Sequence, residues 1–164
     1  MDTKGFAKHD HRACIVDMIA VAEAYSAANK VQFTPVRRRV LELLLEDHKA
    51  LGAYDVLERL VKEGYGSQPP VAYRALDFLV KHGFAHKIER LNAYIACAHP
   101  QKIHAPAFMI CRQCKAIAET MTTPTKGPFN QAAEEAGFQI ERTVFEAEGL
   151  CPKCVSGGAP REVS

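Results

Sequence analysis

Four of the six cysteines in this sequence form two pairs with the same spacing, Cys111-x-x-Cys114 and Cys151-x-x-Cys154. A Cys-x-x-Cys turn presents two sulfurs on one side, and two such turns together supply the tetrahedral thiolate set that zinc accepts. Because four protein ligands leave no open coordination position, this pattern predicts a structural site rather than a catalytic one. We expect bound zinc to supply much of the folding free energy of the surrounding segment.

The paired cysteines have two alternative interpretations. A thioredoxin-type redox centre would use Cys111 and Cys114, but that motif normally has one pair at the start of a helix rather than two pairs. Disulfides are disfavoured because we expect a cytoplasmic protein, where thiols stay reduced. The N-terminal sequence lacks the apolar core of a secretory signal, and no apolar run approaches the ~18 residues of a membrane-spanning helix.

Composition excludes several function classes. The 164-residue chain is 48% hydrophobic and 24% charged, which is typical of a globular protein rather than a disordered or fibrous one. Its net charge of +2 is too small to indicate nucleic-acid binding, so such a function must be argued from local placement of charge. The sequence shows no Ser/His/Asp arrangement, phosphate loop or paired-carboxylate site, and we expect no enzymatic activity.

The first half of the chain has the spacing of apolar residues that is typical of helices. Four helices are predicted: over 14–29, from Pro35 behind the N-cap Thr34, after Gly52, and from Pro69 to Gly83. Residues 85–90 and 93–97 then predict a β-hairpin. Helices followed by a hairpin are the outline of a winged helix-turn-helix, and an unspecialised helical domain is the alternative.

The second half predicts a small α+β unit. Residues 98–107 are polar and contain two prolines and two histidines, which indicates a linker. Residues 108–110 lead into the first cysteine pair and residues 116–120 lead out of it. A helix is predicted from Pro128 to Ala136, and the alternation of apolar residues over 138–144 towards Cys151 predicts a strand. A unit of this size usually needs a metal or a partner chain for stability.

Five segments carry a resemblance to a known family: TPVRRRVLELL, AYDVLERLVKEG, PPVAYRALDFLVKHGFAHKIERLNAYIAC, FMICRQCKAIAE and GLCPKC. In order and cysteine spacing they resemble the Fur superfamily of metal-responsive regulators, and within it the zinc uptake regulators. The resemblance implies an α+β protein with a winged-helix DNA-binding domain over 1–97 and a hinge over 98–107. It further implies a dimerisation and zinc-binding α/β domain over 108–155, which leaves 156–164 as a tail that we expect to be disordered.

The function implied by the resemblance is zinc-responsive repression. Such a protein binds double-stranded operator DNA as a zinc-loaded homodimer and represses zinc-uptake genes. It is expected to bind no membrane and to have no small-molecule substrate. It holds two zinc ions per monomer, one structural and one regulatory. Carried over position by position, the regulatory ligands are His86, Cys97, His104 and Glu119, with His99 as the most plausible substitute. One thiolate, two imidazoles and one carboxylate form a set that zinc accepts.

The DNA contacts are also implied by the resemblance. Tyr73 and Arg74 would lie on the recognition helix, where arginine can bond bidentately to guanine and a tyrosine ring can pack against a thymine methyl. Arg37, in the family's TPxR pattern, would contact phosphate, and Tyr54 would lie at the DNA.

Other functions fit part of the pattern. Iron- and peroxide-sensing members of the superfamily usually carry a histidine-rich run before the first cysteine pair, where this chain has HAPAFMIC with His104 alone. A thiol–disulfide oxidoreductase would use Cys111 and Cys114. A zinc-stabilised interaction module would bind a single zinc and no specific operator.

Overall fold

A computed structural model describes residues 6, 11–47, 49–100, 102, 105–122 and 127–157. The chain divides into two compact units, one within 7–101 and the other made of Phe6 and the residues from 102 onward. The boundary between them falls inside the segment predicted as a linker. Each unit has its own sheet, and the mixed helix and sheet class is confirmed.

Four helices open the first unit: α1 His11–Ala28, α2 Pro35–Leu45, α3 Ala53–Lys62 and α4 Pro69–Lys81. Local chemistry sets where they begin. The Thr34 hydroxyl accepts a hydrogen bond from the backbone N–H of Arg37 at 3.3 Å, and Pro35 occupies the first helical position. The Gly52 N–H donates to the Asp55 carboxylate at 3.0 Å, so α3 also begins where predicted. None of the described helices combines the length and apolar character needed to cross a membrane.

A hairpin follows the helices and confirms the winged helix-turn-helix. Strands β1 Ala85–Ile88 and β2 Ala93–Ala96 pair antiparallel. Their turn is a short 3-10 helix, Glu89–Leu91, closed by Asn92 in the left-handed conformation with φ 46°. The first strand is therefore two residues shorter than predicted, because the turn takes up residues 89 and 90.

Apolar side chains from the four helices and the hairpin strands of the first unit form one core. Its fully buried members include Val40, Leu41, Leu44, Val56, Leu60, Leu76, Leu79 and Phe84. The hairpin is fixed to the α2–α3 connection because Leu51 and Tyr94 exchange two backbone hydrogen bonds of 2.8 and 2.9 Å. The first unit therefore holds its exposed helix faces on a packed scaffold.

The second unit is built on a three-stranded sheet of β3 Ala105–Cys111, β4 Ile117–Thr122 and β5 Phe145–Gly149. The order is β4-β3-β5, with β3 antiparallel to β4 and parallel to β5. Two helices complete it, α5 Pro128–Glu135 and α6 Pro152–Ser156. The parallel register pairs Cys111 with Gly149, so both cysteine pairs follow the carboxyl ends of neighbouring strands.

The strand predicted over 138–144 is wrong. Hydrogen-bonding partners on β3 exist for 145–149 only, where Phe145 pairs with Ala107. Phe138 is 67% exposed, so the alternating apolar residues that predicted the strand do not form a face buried against the sheet. A strand depends on its neighbour, which the local pattern does not contain.

Two element boundaries also differ from the predictions. β3 begins at Ala105, inside the predicted linker, because residues 105–107 pair with 120–122 of β4. Ser156 ends α6 instead of opening the tail, since Pro152 starts a helical turn directly after Cys151. Residues 158–164 of the predicted tail lie outside the described residues.

Replacing Thr34 by Ala tests the local origin of α2. We expect the free energy of unfolding of the first unit to fall by about 1 kcal/mol, because the Arg37 N–H loses its acceptor. Urea unfolding of the zinc-loaded protein measures this, and Thr34→Ser, which keeps the hydroxyl, should stay near wild type. An unchanged midpoint in Thr34→Ala would contradict the capping role.

Candidate metal centres and DNA-facing helix

The two cysteine pairs converge at one end of the second unit's sheet. The sulfurs of Cys111, Cys114, Cys151 and Cys154 all lie within 4.8 Å of one another, and those of Cys114 and Cys151 are 3.6 Å apart. A tetrahedral ion with Zn–S bonds of about 2.3 Å places its sulfurs about 3.8 Å apart. The spacing and the all-thiol donor set therefore fit zinc.

Backbone hydrogen bonds shape the turn that carries the first pair. The Cys111 N–H donates to the Ala116 carbonyl at 2.9 Å, and the Lys115 N–H donates to the Cys111 carbonyl at 3.0 Å. Lys115 takes a left-handed conformation with φ 63° to close the turn. The Cys151 N–H then donates to the Cys111 sulfur at 3.4 Å and joins the second pair to the first.

The thiol pKa values of this cluster favour metal binding at Cys111 and oppose it at Cys154. Burial raises the pKa of the Cys111 thiol, but N–H groups of Cys114, Cys151 and Gln113 outweigh it and bring the pKa down to about 6. Burial and the neighbouring thiols raise the pKa of Cys154 to about 12. Zinc must therefore displace a proton from Cys154, and binding releases protons.

His86 and Cys97 lie side by side on the hairpin of the first unit. His86 is opposite Ile95 in the register, and the Cys97 N–H donates to the Phe84 carbonyl at 2.9 Å, extending the pairing by one residue. Since alternate residues share a face, Cys97 is a diagonal neighbour of His86 on the same face. Their ligand atoms lie within 4.8 Å of each other.

The remaining regulatory ligands carried over from the family belong to other elements of the chain. Glu119 lies on β4 opposite Phe108 and is 2% exposed. A buried carboxylate needs compensating charge or hydrogen-bond donors, and a metal ion is one such partner. His104 lies outside the described residues. His99 is buried, and its backbone N–H donates to the Cys97 sulfur at 3.4 Å.

Tyr73 and Arg74 lie on the exposed face of α4. The opposite face, with Ala72, Leu76 and Leu79, is buried in the core. Tyr54, the second residue of α3, is 69% exposed. Because α3 and α4 pack on each other within the first unit, all three side chains are presented to solvent by rigid elements.

The three consecutive arginines at the start of α2, residues 37–39, have different interaction partners. Arg38 pairs with Glu23 of α1. Arg39 forms ion pairs of 2.7 to 3.1 Å with Glu42, Glu46 and Glu63. The hydrogen bonds that Arg39 donates to Glu63 are the main cause that raises the pKa of Arg39 above its ordinary value. These two charges are compensated inside the unit.

Arg37 differs from its two neighbours. Within the described part of the chain it pairs with no carboxylate; its guanidinium lies over the Phe78 ring, 3.8 Å from the centroid, and donates to the Gln32 carbonyl. Its positive charge is therefore available to an external anion. The contact with Phe78 leaves no signal in the sequence, because the apolar pattern of α4 marks Phe78 only as a core residue.

The sequence also gave no sign of the contact that Phe6 makes. Phe6, Ala116 and Leu150 pack around the cysteine cluster as an apolar shell. Such a shell limits the access of water to a metal site.

Comparisons with known proteins place the chain among metal-responsive regulators. The model of the Ferric uptake regulator family matches residues 28–147. The chain is 38% identical over 146 residues to the zinc uptake regulation proteins of Escherichia coli (strain K12) and Shigella flexneri, covering 88% of this chain and 85% of each relative.

Solved structures show the same similarity. A zinc uptake regulator complexed with zinc and DNA matches with a TM-score of 0.80 and 37% identity, covering 87% of this chain and 96% of that one. Holo XcZur matches with a TM-score of 0.75 and 33% identity, covering 85% of this chain and 98% of that one.

Replacing Cys151 by Ser tests whether the cysteine cluster stabilises the second unit. We expect loss of one zinc per monomer and unfolding of that unit, since structural zinc contributes ~10–16 kcal/mol in zinc-finger peptides. Elemental analysis and thermal unfolding measure both effects. Cys14→Ser, at an exposed cysteine of α1, is the matched control. Wild-type thermal stability in Cys151→Ser would contradict the assignment.

Proposed function

Because the chain belongs to the ferric uptake regulator family, we propose that it is a zinc-responsive transcriptional repressor. It binds operator DNA as a zinc-loaded homodimer and represses zinc-uptake genes; it is not an enzyme. The observation that carries this conclusion is the similarity to zinc uptake regulators over most of the chain, in sequence and in structure.

The four-cysteine cluster holds the structural zinc. Its ligands are Cys111, Cys114, Cys151 and Cys154, which lie together within the second unit. When bound, the ion cross-links the ends of β3 and β5 and takes part in no reaction, since four thiolates fill its coordination sphere.

A second zinc binds at the regulatory site, which gives two zinc ions per monomer. Its ligands are His86, Cys97, His104 and Glu119. The proposal is supported by the proximity of the His86 and Cys97 ligand atoms on one hairpin face and by the burial of Glu119. The soft sulfur of Cys97 favours zinc over manganese and over iron of high coordination number. His99 is the substitute ligand, being buried and two residues from Cys97.

Zinc at the regulatory site controls DNA binding by restricting conformational freedom. Its ligands belong to the hairpin of the DNA-binding unit, to the hinge and to the dimerisation unit, so the ion fixes the position of each DNA-binding unit. Helix-turn-helix dimers need their two recognition helices at a set spacing. Without zinc only a fraction of dimers has that spacing, and the apparent affinity falls by that fraction.

The DNA interface uses the exposed face of the first unit. Arg74 and Tyr73 on α4 read base edges, Arg37 binds a phosphate, and Tyr54 contacts the DNA from the start of α3. Arg37 pairs with no carboxylate among the residues that the structure describes, which supports its assignment over Arg38 and Arg39, whose charges are paired. We assign the domains as 1–97 for DNA binding, 98–107 as hinge and 108–155 for dimerisation, and place the protein in the cytoplasm.

The oxidoreductase and the iron- or peroxide-sensing alternatives are not favoured. A thiol–disulfide oxidoreductase requires Cys111 and Cys114 to act as a separate dithiol, but their sulfurs share one cluster with the second pair. An iron- or peroxide-sensing regulator of the same superfamily shares the fold, whereas the relatives with 33–38% identity bear the names of zinc regulators.

Replacing Cys97 by Ala tests whether the two zinc sites are separable. Elemental analysis of the reduced, zinc-equilibrated variant should give one zinc per monomer instead of two, because the regulatory site loses its only thiolate. Cys14→Ala should retain both ions. Two zinc ions per monomer in Cys97→Ala would show that Cys97 is not a ligand of the regulatory zinc.

Arg74→Ala and Arg37→Ala should weaken DNA binding in different ways. Loss of a bidentate arginine–guanine contact costs ~1–3 kcal/mol of base discrimination, so Arg74→Ala should weaken operator binding more than random-DNA binding. Arg37→Ala should weaken both equally, since phosphates carry no sequence information. Fluorescence anisotropy titrations on both DNAs measure this. An equal loss of affinity for operator and random DNA in Arg74→Ala would exclude Arg74 from base readout.

A further inference from the structure

We propose that Phe78 is a positioning residue for DNA binding: its ring holds the Arg37 guanidinium and thereby links the phosphate contact to the recognition helix. This inference rests on the proposed placement of Arg37 at a DNA phosphate. Phe78 itself touches no DNA in this proposal, and all of its relevant contacts lie inside the first unit.

The contact between Arg37 and Phe78 has the geometry of a cation–π interaction. The Arg37 Cζ atom lies 3.8 Å from the ring centroid, well within the ~6 Å over which such an attraction acts. The Arg37 Nη1 group also donates to the Gln32 carbonyl. A guanidinium has five N–H donors, so this hydrogen bond leaves further donors for a phosphate while the ring fixes the plane.

The Phe78 ring is itself held in place. It is 8% exposed, and its centroid lies 4.5 Å from that of His82. The Tyr25 hydroxyl is 3.1 Å from His82 Nδ1, which ties this stack to α1. Burial and the charges of Lys81 and Arg37 lower the pKa of His82, which favours the uncharged form of its ring.

The stack joins two kinds of DNA contact. Phe78 follows Arg74 by four residues on α4, so the two are neighbours one turn apart. A displacement of α4 therefore carries the base-reading Arg74 and the support of Arg37 together. Arg38 instead pairs with Glu23 of α1 and lies 5.9 Å from the centroid of the Phe33 ring, so these contacts connect it to α1 and to the segment before α2 rather than to α4.

A double-mutant cycle on the zinc-loaded homodimer tests the proposal. Affinity for operator and random DNA is measured over a range of salt for wild type, Phe78→Leu, Arg37→Ala and the double variant. Phe78→Leu should weaken binding of a dimer to both DNAs by about four- to twenty-five-fold, or two- to fivefold per protomer. Arg37→Ala should lower the salt slope by about 1.8 per dimer, and Phe78→Leu should then cause no further loss.

Two conservative variants keep the test independent of folding. Phe78→Tyr retains the ring face and should bind as wild type. Arg37→Lys keeps the charge at a half-exposed position but cannot stack as a plane, so it should lose affinity as Phe78→Leu does. Arg38→Ala is the control for removing a charge from α2. Zinc content and thermal unfolding show whether each variant is folded.

The outcomes separate this inference from the proposed function. Equal losses from Phe78→Leu in the wild-type and Arg37→Ala backgrounds, or a loss confined to operator DNA, would overturn the positioning role and leave Arg37 at the phosphate. If Phe78→Leu does not fold, wild-type affinity in Arg37→Lys would overturn it instead. An unchanged salt slope in Arg37→Ala would remove the phosphate contact, and the inference with it.

Discussion

The parallel pairing of β3 with β5 is the contact on which the second unit depends. It sets Cys111 beside Gly149, so the two cysteine pairs, far apart in sequence, leave the sheet at the same end. Four sulfurs then share a space smaller than 5 Å across. Although this unit also buries Phe108, Ile110 and Ile117, it is small, and we expect zinc to add the stability that hydrophobic packing gives a larger domain.

The first unit is stabilised in a different way, and this difference corresponds to the separate roles proposed for the structural and the regulatory zinc. Four helices and a hairpin bury a continuous apolar core, so the faces of α3 and α4 are held without a metal. In the proposed function, zinc at His86 and Cys97 acts as a signal, and its binding controls how the DNA-binding unit is held rather than whether that unit folds.

Local chemistry was predictable from the sequence, and non-local pairing was not. Thr34 and Pro35 specify the start of α2 through contacts within one turn, and the structure agrees. The strand predicted over 138–144 fails because strand formation requires a neighbour, which β3 offers to 145–149 alone. The stack of Arg37 on Phe78 left no pattern in the sequence, since an aromatic residue on a buried helix face looks the same whether or not a cation covers it.

The central claim is that zinc at a site separate from the cysteine cluster controls binding to DNA. Its most direct test is titration of the wild-type homodimer with operator DNA at a series of buffered free-zinc concentrations, with bound zinc measured in parallel. Operator affinity should rise as the second zinc binds, while the first stays bound throughout. Equal affinity with one and with two zinc ions per monomer would contradict the account.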